Sequence, residues 1–556
     1  MTTKTSAKDK NNLEETIRMK YKWLFGILVG LLIMAIALPG CAPPAEKPPV
    51  KDTLIIASVD TSPGIDIDFH TAPDSWRLID QVYPRGLDYQ YEPSGEPGGP
   101  DVLKPNWEKV IPSLFESWEL SGDGTTATFG LKKGVYSFYG NEFTTKDVLW
   151  KYERAFGLAA VGGFFLGMMD VPDISAIKII DDYTFSITAA RQNALLIPMA
   201  AHQYNGWFDS TEATKHATDD DPWATEWIKR NGSGGLGPYV VDEWIAGDRV
   251  VLKANPRFHA GEPSIKTIVY KVIPESSSRL AALRDGTIDV AYELNPTEIM
   301  ALADTPGVRT INLISNADLW GMLNNDVAPF DNKLVRQALN YAVPRKQIVE
   351  TAYLELAHPW TAPFPLMFPG AISPDEFPYT HDIAKAKELL TQAGHPDGFT
   401  VELAYDSSIQ PHETAATIIK SSLAEIGITV ELKKTPPGAF STQITSRDYT
   451  FALYRNMPIV PDPNYCLLLS YYSPFWSDFL NYLNPEVDKL LEEGQPILDP
   501  EERIEHHKVI QRIILDDAAM IWLVEPDYTV AIRDNIEGWN WNTTTETRFD
   551  FLSFSQ

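Results

Sequence analysis

The chain has 556 residues, which is too many for a single hydrophobic core, so we expect two or three lobes. Apolar residues make up 44% of the sequence, a share typical of a globular protein rather than a disordered one. The formal net charge of −28 argues against a nucleic-acid partner and against peripheral binding to anionic lipid.

The first 41 residues have the layout of a secretory signal. A basic segment at Met19–Lys22 precedes an apolar run at Trp23–Ala37 and then Leu38-Pro39-Gly40-Cys41. The last four residues resemble a bacterial lipobox, in which the cysteine is acylated and anchors the mature protein to the membrane. The apolar run is shorter than the roughly 20 residues that cross a bilayer, which favours this interpretation over an uncleaved transmembrane anchor. Residues 42–51 are rich in proline and predict a stiff tether to the folded body.

The folded body begins with a predicted strand at Asp52–Val59, followed by a polar segment. This segment holds several residues of metal-ligand type, namely Asp60, Asp66, Asp68 and His70. The segment lacks the spaced oxygen ligands and the glycine of a calcium-binding loop. We therefore predict no metal and no cofactor.

A β-hairpin and a capped helix are predicted at 111–154. Apolar residues alternate along two extended runs, and Ser121-Gly122-Asp123-Gly124 is the turn between them. Thr144 or Thr145 then caps the helix. We expect these elements to belong to a small accessory subdomain at about residues 85–190.

Farther along the chain, strands and helices are predicted to alternate. A strand at 399–405, a helix at 412–425 and a strand at 428–432 form a βαβ unit, which implies a parallel sheet. Asp331 is expected to cap an earlier helix. The apolar, glycine-containing stretch at 162–169 is interpreted as a packed loop, with a ligand-facing segment as the alternative.

Four separated blocks of sequence resemble the cluster-5 solute-binding proteins, which are the oligopeptide, dipeptide and nickel receptors of ABC importers. The first block is the hairpin and helix at 111–154. The other three, in chain order, are Asn231-Gly232-Ser233-Gly234-Gly235-Leu236-Gly237-Pro238-Tyr239, Arg279-Leu280-Ala281-Ala282-Leu283 with Gly286-Thr287-Ile288-Asp289, and Ala328-Pro329-Phe330-Asp331 with Val335-Arg336-Gln337-Ala338-Leu339. The resemblance covers nearly the whole chain after the signal.

This resemblance implies an α/β, two-lobed periplasmic-binding-protein-like fold of class II, cluster C, with mixed sheets, an extra small subdomain and a hinge of crossing strands. Lobe I would comprise residues 52–311 and 525–556, and lobe II residues 312–524. It also implies a monomeric receptor outside the cytoplasm. Such a receptor captures a peptide or related solute by hinge closure and delivers it to the permease and ATPase of an ABC importer.

Catalytic motifs are absent from the sequence. It contains no G-x-S-x-G, H-E-x-x-H, C-x-x-C or Walker pattern. Cys466 lies among apolar residues and is interpreted as a buried thiol. The chain is therefore predicted to be a binding protein and not an enzyme, with a membrane-tethered hydrolase as the alternative.

One departure from the family pattern bears on the ligand. Peptide receptors of this family usually carry W-x-x-D-Y-x-D-P, in which the first aspartate holds the α-ammonium group of the peptide. Alignment on Asp462-Pro463 places Ile459 at the position of that aspartate and Asn456 near the tryptophan. Burying an ammonium group without its carboxylate is costly.

Two kinds of ligand site remain open. In the first, another carboxylate, such as Asp60, Asp68 or Asp462, replaces the missing aspartate and holds the ammonium group. In the second, the ligand is a neutral oligosaccharide that stacks on tryptophans. Arg455 is an alternative anchor for an anion. The candidate ligand-binding residues are Asp60, Asp68, Trp76, Trp320, Trp360, Arg455, Asn456, Met457, Ile459 and Trp476.

Overall fold

Two mixed β-sheets, joined by two crossings of the chain, organise the fold. The computed structural model describes residues 51–60, 62–70, 73–158, 160–202, 205–475, 479–544 and 547–555. The predicted signal segment with Cys41, most of the predicted tether, and Trp476 lie outside these residues.

The strands, in chain order, are β1 (Thr53–Ser58), β2 (Leu87–Pro93), β3 (Leu103–Pro112), β4 (Phe115–Leu120), β5 (Thr126–Leu131), β6 (Ile177–Asp181), β7 (Thr184–Thr188), β8 (Tyr239–Ile245), β9 (Arg249–Ala254), β10 (Thr267–Val272), β11 (Val290–Ala291), β12 (Val308–Leu313), β13 (Asp318–Leu323), β14 (Ala357–Pro359), β15 (Thr400–Asp406), β16 (Thr429–Thr435), β17 (Phe451–Asn456), β18 (Ile521–Pro526), β19 (Tyr528–Arg533), β20 (Ile536–Glu537) and β21 (Ser553–Phe554).

The helices are α1 (Pro73–Val82), α2 (Thr145–Leu158), α3 (Val161–Met168), α4 (Ser210–Ala213), α5 (Thr225–Asn231), α6 (Ser276–Arg284), α7 (Pro296–Met300), α8 (Lys333–Ala342), α9 (Arg345–Ala352), α10 (Ile383–Gln392), α11 (Gln410–Glu425), α12 (Pro437–Thr445), α13 (Pro463–Tyr471), α14 (Pro485–Gly494) and α15 (Pro500–Asp517). Short 3₁₀ turns lie at Ile174–Ala176, Pro198–Ala201, Thr214–His216, Pro374–Glu376 and Phe549–Phe551.

The first sheet has the strand order β12-β19-β11-β1-β10-β9-β8. Its central strand β1 is parallel to β10 and β11, and the other neighbours are antiparallel. We call the elements around this sheet the first lobe, including the β2–β3 hairpin, the sheet β4-β5-β7-β6 and the segment after β19.

The second sheet has the order β14-β18-β13-β17-β15-β16, and the elements around it are called the second lobe. Strand β15 is parallel to β16 and β17, whereas the remaining pairs are antiparallel. The predicted βαβ unit is confirmed, because β15, α11 and β16 follow one another and Thr400 lies opposite Thr429. The sheet is mixed because this parallel unit stands beside the antiparallel strands β13 and β18, which connect directly to the first lobe.

The chain crosses between the sheets twice, at residues 314–317 and at Asp527. The two crossings touch, since Ser315 Oγ donates a hydrogen bond of 2.7 Å to the carbonyl oxygen of Pro526. The predicted lobe boundaries at 311/312 and 524/525 stay a prediction; both positions lie inside strands, β12 and β18, that continue for about two residues beyond them. These crossings form a hinge of two adjacent strands.

The accessory region contains the predicted hairpin. Strands β4 and β5 pair antiparallel with Trp118 opposite Phe129, as the alternation predicts. The interpretation of residues 162–169 as a loop is wrong, because α3 spans Val161–Met168 and buries Phe165 and Leu166. Asp331 is also not the cap of α8: the side chain of Asn332 accepts from Leu334 N at 2.9 Å instead.

Two large hydrophobic clusters divide between the faces of the second sheet. Leu319 and Leu323 on β13 belong to a cluster with the helices α8 to α11, whereas Trp320 and Met322 belong to a cluster that continues through the first lobe. The alternation follows from the two-residue period of a strand. The two lobes therefore share one continuous core. Within the described residues, no helix has the length and hydropathy needed to cross a membrane.

Candidate functional site

A pocket lies between the two lobes, which we call the interlobe pocket. The first lobe contributes Arg85, Tyr89, Tyr91, Pro105, Trp107, Pro198, Ala201, His202, Asn542 and Thr543, and the second lobe contributes Ile459, Val460 and Pro461. The pocket encloses about 340 Å³ of space between atoms, part of it open to solvent, but its walls leave room for roughly one water molecule. A larger ligand enters only if the lobes separate.

Aromatic rings form much of the wall on the first lobe. The Trp107 ring packs edge-on against Tyr89 with 5.3 Å between centroids, and against Phe368 of the second lobe with 6.3 Å. Burial, together with the nearby charges of Arg85 and Lys151, lowers the pKa of His202 to about 3. The imidazole is therefore neutral at physiological pH. An aromatic wall with few charges suits an organic ligand with apolar portions.

Ile459 is the one predicted ligand-binding residue among the described side chains that lines this pocket. It is 5% exposed and follows the end of β17. The neighbouring Pro458 carbonyl oxygen accepts a hydrogen bond of 2.6 Å from Asn316 Nδ2, and the same nitrogen donates to Thr543 O at 2.5 Å. Asn316 thus joins the hinge to both walls of the pocket.

The predicted tryptophans that the structure describes, Trp76, Trp320 and Trp360, are core residues and do not line the interlobe pocket. Trp320 and Trp360 stack in the second lobe with 6.3 Å between ring centroids, and Tyr454 packs against Trp320 at 6.1 Å. Trp76 is buried on α1 in the first lobe. Stacking of this kind fixes the positions of the strands that carry these rings.

The remaining predicted residues at the end of β17 divide between the faces of the sheet. Asn456 lies opposite Asp318 and Tyr454 lies opposite Trp320, so these four side chains share the face that looks toward the first lobe. Arg455 is exposed and belongs to the other face. Met457, just beyond the strand, packs partly buried against the shared core.

Residues 109–478 match the sequence model of the middle region of the bacterial extracellular solute-binding proteins, family 5. This chain belongs to that family.

This family 5 protein is similar to other binding proteins, and to a solved structure, over most of its length. It is 26% identical to the probable D,D-dipeptide-binding periplasmic protein DdpA of Escherichia coli K12, over 94% of this chain and 98% of that one. It is 25% identical to heme-binding protein A of Haemophilus influenzae, over 74% and 78% of the two chains. The structure of Helicobacter pylori DppA with the peptide STSA superposes with a TM-score of 0.79 at 25% identity, over 91% of this chain and 99% of that one.

The family 5 fold is two-lobed, as the resemblance implied, and the family consists of extracytoplasmic binding proteins. Among the described residues, no group of three or more His, Cys, Asp or Glu side chains is placed to hold a metal ion. Cys466 is fully buried, and burial raises the pKa of its thiol.

The three aspartates considered as substitutes for Ile459 have other surroundings. Asp68 is buried and, like Asp66, forms an ion pair with Arg154. Asp462 caps α13 by accepting from Asn464 N at 2.9 Å, and it also pairs with Arg503. Asp60 is exposed at the end of β1, beside Arg77.

A fourth aspartate, Asp318, was missed by the sequence reasoning. It is 1% exposed, and its Oδ1 accepts a hydrogen bond of 2.8 Å from Trp320 Nε1. The side chain of Asn456 lies directly opposite this carboxyl group on β17. Burial raises the pKa of this carboxyl group to about 8. A charged residue at the start of an otherwise apolar strand was the available signal, since aspartate is seldom fully buried without a partner.

Proposed function

We propose that this protein captures a peptide between its two lobes and delivers it to the permease and ATPase of an ABC importer. The observation that carries the proposal is the end-to-end similarity to a probable D,D-dipeptide-binding protein, which spans 94% of this chain and 98% of the relative. The DppA structure, which contains a peptide, supports the same ligand class.

Hinge closure is the proposed mechanism of capture. The crossings at 314–317 and Asp527 allow the lobes to rotate apart, and closure brings Ile459 and Val460 against the aromatic wall of the first lobe. The closed form then presents the surface that the permease recognises. A peptide favours closure because it contacts both lobes only in that state.

A thermal-shift screen tests the ligand class. The purified protein, stripped of copurified ligand by partial unfolding and refolding, is mixed with Met-Leu, Ser-Thr-Ser-Ala, D-alanyl-D-alanine, or an oligosaccharide panel. A bound ligand at about 100 times its dissociation constant adds about 2.7 kcal/mol to the free energy of unfolding. We expect shifts with peptides. Shifts with sugars alone would instead support the oligosaccharide receptor that the loss of the aspartate at position 459 suggests.

We also propose that Cys41 is acylated and tethers the protein to the cell membrane, at the cell surface or in the periplasm. The lipobox-like Leu38-Pro39-Gly40-Cys41 supports this. Cells grown with an alkyne-labelled palmitate should transfer label to the wild-type protein and not to the Cys41→Ser variant. Label on both variants, or on neither, would contradict the proposal.

The proposed receptor is a monomer without catalytic activity. The family and the absence of catalytic sequence motifs support this, and the alternative is a tethered hydrolase. Light scattering should give the mass of a single chain. Peptides recovered after overnight incubation should be intact by mass spectrometry, whereas cleavage products would favour the hydrolase.

A further inference from the structure

The wall of the interlobe pocket carries a positive charge. Among the described residues that line it, Arg85 alone is charged, because the imidazole of His202 is neutral at physiological pH. The second lobe contributes Ile459, Val460 and Pro461, and none of these side chains has a charge. The pocket thus differs in sign from the chain as a whole, whose formal net charge is −28. Such a wall is complementary to an anionic group of a ligand.

Two buried aspartates hold the Arg85 side chain in place. Asp80 Oδ1 accepts a hydrogen bond of 2.9 Å from Arg85 Nη2, and Asp88 Oδ1 lies 3.5 Å from Arg85 Nη1. The two aspartates are 5% and 8% exposed, and neither is among the residues that line the pocket. The guanidinium group is therefore fixed at the wall before any ligand arrives, which lowers the entropic cost of binding.

The oxygen atoms of both aspartates are engaged by donors of the first lobe. Besides Arg85, Asp80 accepts a hydrogen bond of 2.7 Å on Oδ2 from Thr544 Oγ1. Asp88 accepts from the backbone N–H of Tyr89 at 2.9 Å on Oδ1 and pairs with Arg548 through Oδ2. These carboxylates are therefore occupied within the protein and offer no binding site to a positive group of the ligand.

Donors remain unused at the pocket wall. A guanidinium group has several N–H donors, and within the described part of the chain Arg85 makes one hydrogen bond of good geometry, to Asp80. Tyr91 also lines the pocket, and its buried hydroxyl group has no hydrogen-bond partner among the described residues. Buried polar groups in native proteins are nearly always paired, so a buried hydroxyl without a partner beside a guanidinium group points to a ligand oxygen.

We propose that the interlobe pocket holds the C-terminal carboxylate group of the peptide, bound by Arg85 with Tyr91 as a second donor. This inference rests on the proposed function as a peptide receptor. A carboxylate accepts two parallel hydrogen bonds from a guanidinium group, which makes the pairing both strong and directional. The peptide then lies in the direction opposite to the one that an aspartate at the position of Ile459 would support, with its ammonium end outside the pocket.

The two donors determine the order of events. Arg85 and Tyr91 both belong to the first lobe, so the carboxylate binds them while the lobes are apart. Closure then brings Ile459 and Val460 over the ion pair, and the exclusion of water strengthens it. The space left in the structure described above is about that of one water molecule, so the loaded form keeps the lobes slightly farther apart.

Calorimetric titration of the wild-type protein with end-blocked peptides tests this inference. The probes are Met-Leu and Ser-Thr-Ser-Ala, each as the free peptide, the C-terminal amide and the N-acetylated form, at about pH 7. We expect the amides to bind about tenfold or more weakly, because they lack the carboxylate that pairs with Arg85. The N-acetylated peptides, which keep the carboxylate, should bind within about threefold of the free ones.

Two substitutions assign the effect to the pocket wall. Arg85→Gln removes the positive charge, so it should bind the free and the amidated peptides about equally well. Tyr91→Phe removes a single hydroxyl group, and we expect it to bind the free peptides about threefold or more weakly than wild type. Arg249→Gln is the matched control, because Arg249 also pairs with two carboxylates, Glu243 and Asp248, on a side chain that is 38% exposed. It should behave like wild type.

The outcomes separate the inference from the proposed function. Equal binding of free and amidated peptides by wild type overturns the inference and leaves the proposed function standing, and this measurement needs no variant to fold. Weaker binding of the acetylated peptides alone also overturns the inference, since it shows that the ammonium end is recognised. An amidation effect of unchanged size in Arg85→Gln overturns the assignment to Arg85. Failure of wild type to bind any of these peptides overturns the proposed function, and the inference falls with it.

Discussion

Arg154 has no exposed side-chain surface and holds two carboxylates at once. Its Nη1 donates to Asp66 at 3.0 Å and also pairs with Asp68, which fastens the segment after β1 to α2. The same aspartates looked like metal ligands in the sequence. Their charge is instead matched by a guanidinium group 86 residues or more away, a pairing that no local pattern reveals.

Removal of this guanidinium group should be strongly destabilising. In Arg154→Met, two buried carboxylates lose their partner, and we expect the free energy of unfolding to fall by about 3–5 kcal/mol. Urea denaturation measures the change. Lys346→Ala is the control, since the Lys346–Glu350 pair is exposed and its loss should cost less than about 1 kcal/mol. A loss of similar size in both variants would contradict the role of Arg154.

Asp318 should make stability depend on pH in a recognisable direction. Burial raises its folded pKa to about 8, above the unfolded value of about 3.9, so its contribution is fully present below about pH 4 and is lost as the pH rises through about 8. Asp318→Asn has no carboxyl group at this position, so its stability does not fall in this way as the pH rises. We expect the variant to match wild type near pH 4 and to be more stable by about 1–3 kcal/mol near pH 9. Thermal unfolding across this range measures the difference, and parallel curves would show that the carboxyl group is not perturbed.

At the scale of elements, the sequence predicted the strands and helices whose formation depends on residues close together in the chain. The hairpin β4–β5 and the βαβ unit β15-α11-β16 were predicted because alternation, turn residues and helical periodicity lie within short stretches. Helix α3 was missed because Gly162, Gly163 and Gly167 lower helix propensity. It forms because Phe165 and Leu166 bury themselves against the rest of the first lobe.

The site itself was only partly predictable. Ile459 was identified by comparison with a family motif, and it lines the interlobe pocket. Asp318 escaped notice because its burial depends on the pairing of β13 with β17, which are more than 100 residues apart in the chain. Tryptophans such as Trp320 and Trp360 were proposed for the cleft from composition, but their rings stack inside the second lobe.

The hinge should respond to loss of the Asn316 amide. Its Nδ2 joins the carbonyl oxygens of Pro458 and Thr543, one on each side of the interlobe pocket. In Asn316→Ala the closed state loses about 1–3 kcal/mol, so the open state becomes more populated and the apparent dissociation constant for peptide rises. Small-angle scattering should show a larger radius of gyration before ligand is added. Asn106→Ala in the β2–β3 hairpin is the control, and an unchanged radius in Asn316→Ala would contradict this prediction.

At the scale of the whole molecule, the two lobes are continuous through one core and are connected by two short crossings. Ser315 links the crossings directly through Pro526, so rotation about one strand requires rotation about the other. The closed arrangement leaves little room in the interlobe pocket. Entry and release of a ligand therefore depend on opening, and the population of open molecules sets how fast the ligand is exchanged.

The fluorescence of Trp107 should report whether the two lobes are open or closed. Its indole ring is packed against Phe368 across the interlobe pocket and against Trp541 on its own side, with 6.3 Å between centroids in both cases. Opening removes Phe368 and admits water, so the emission should shift to longer wavelength, and Trp107→Phe should abolish most of the shift. Stopped-flow mixing with peptide would then time closure without any attached dye. An unchanged shift in Trp107→Phe would assign the signal to another tryptophan.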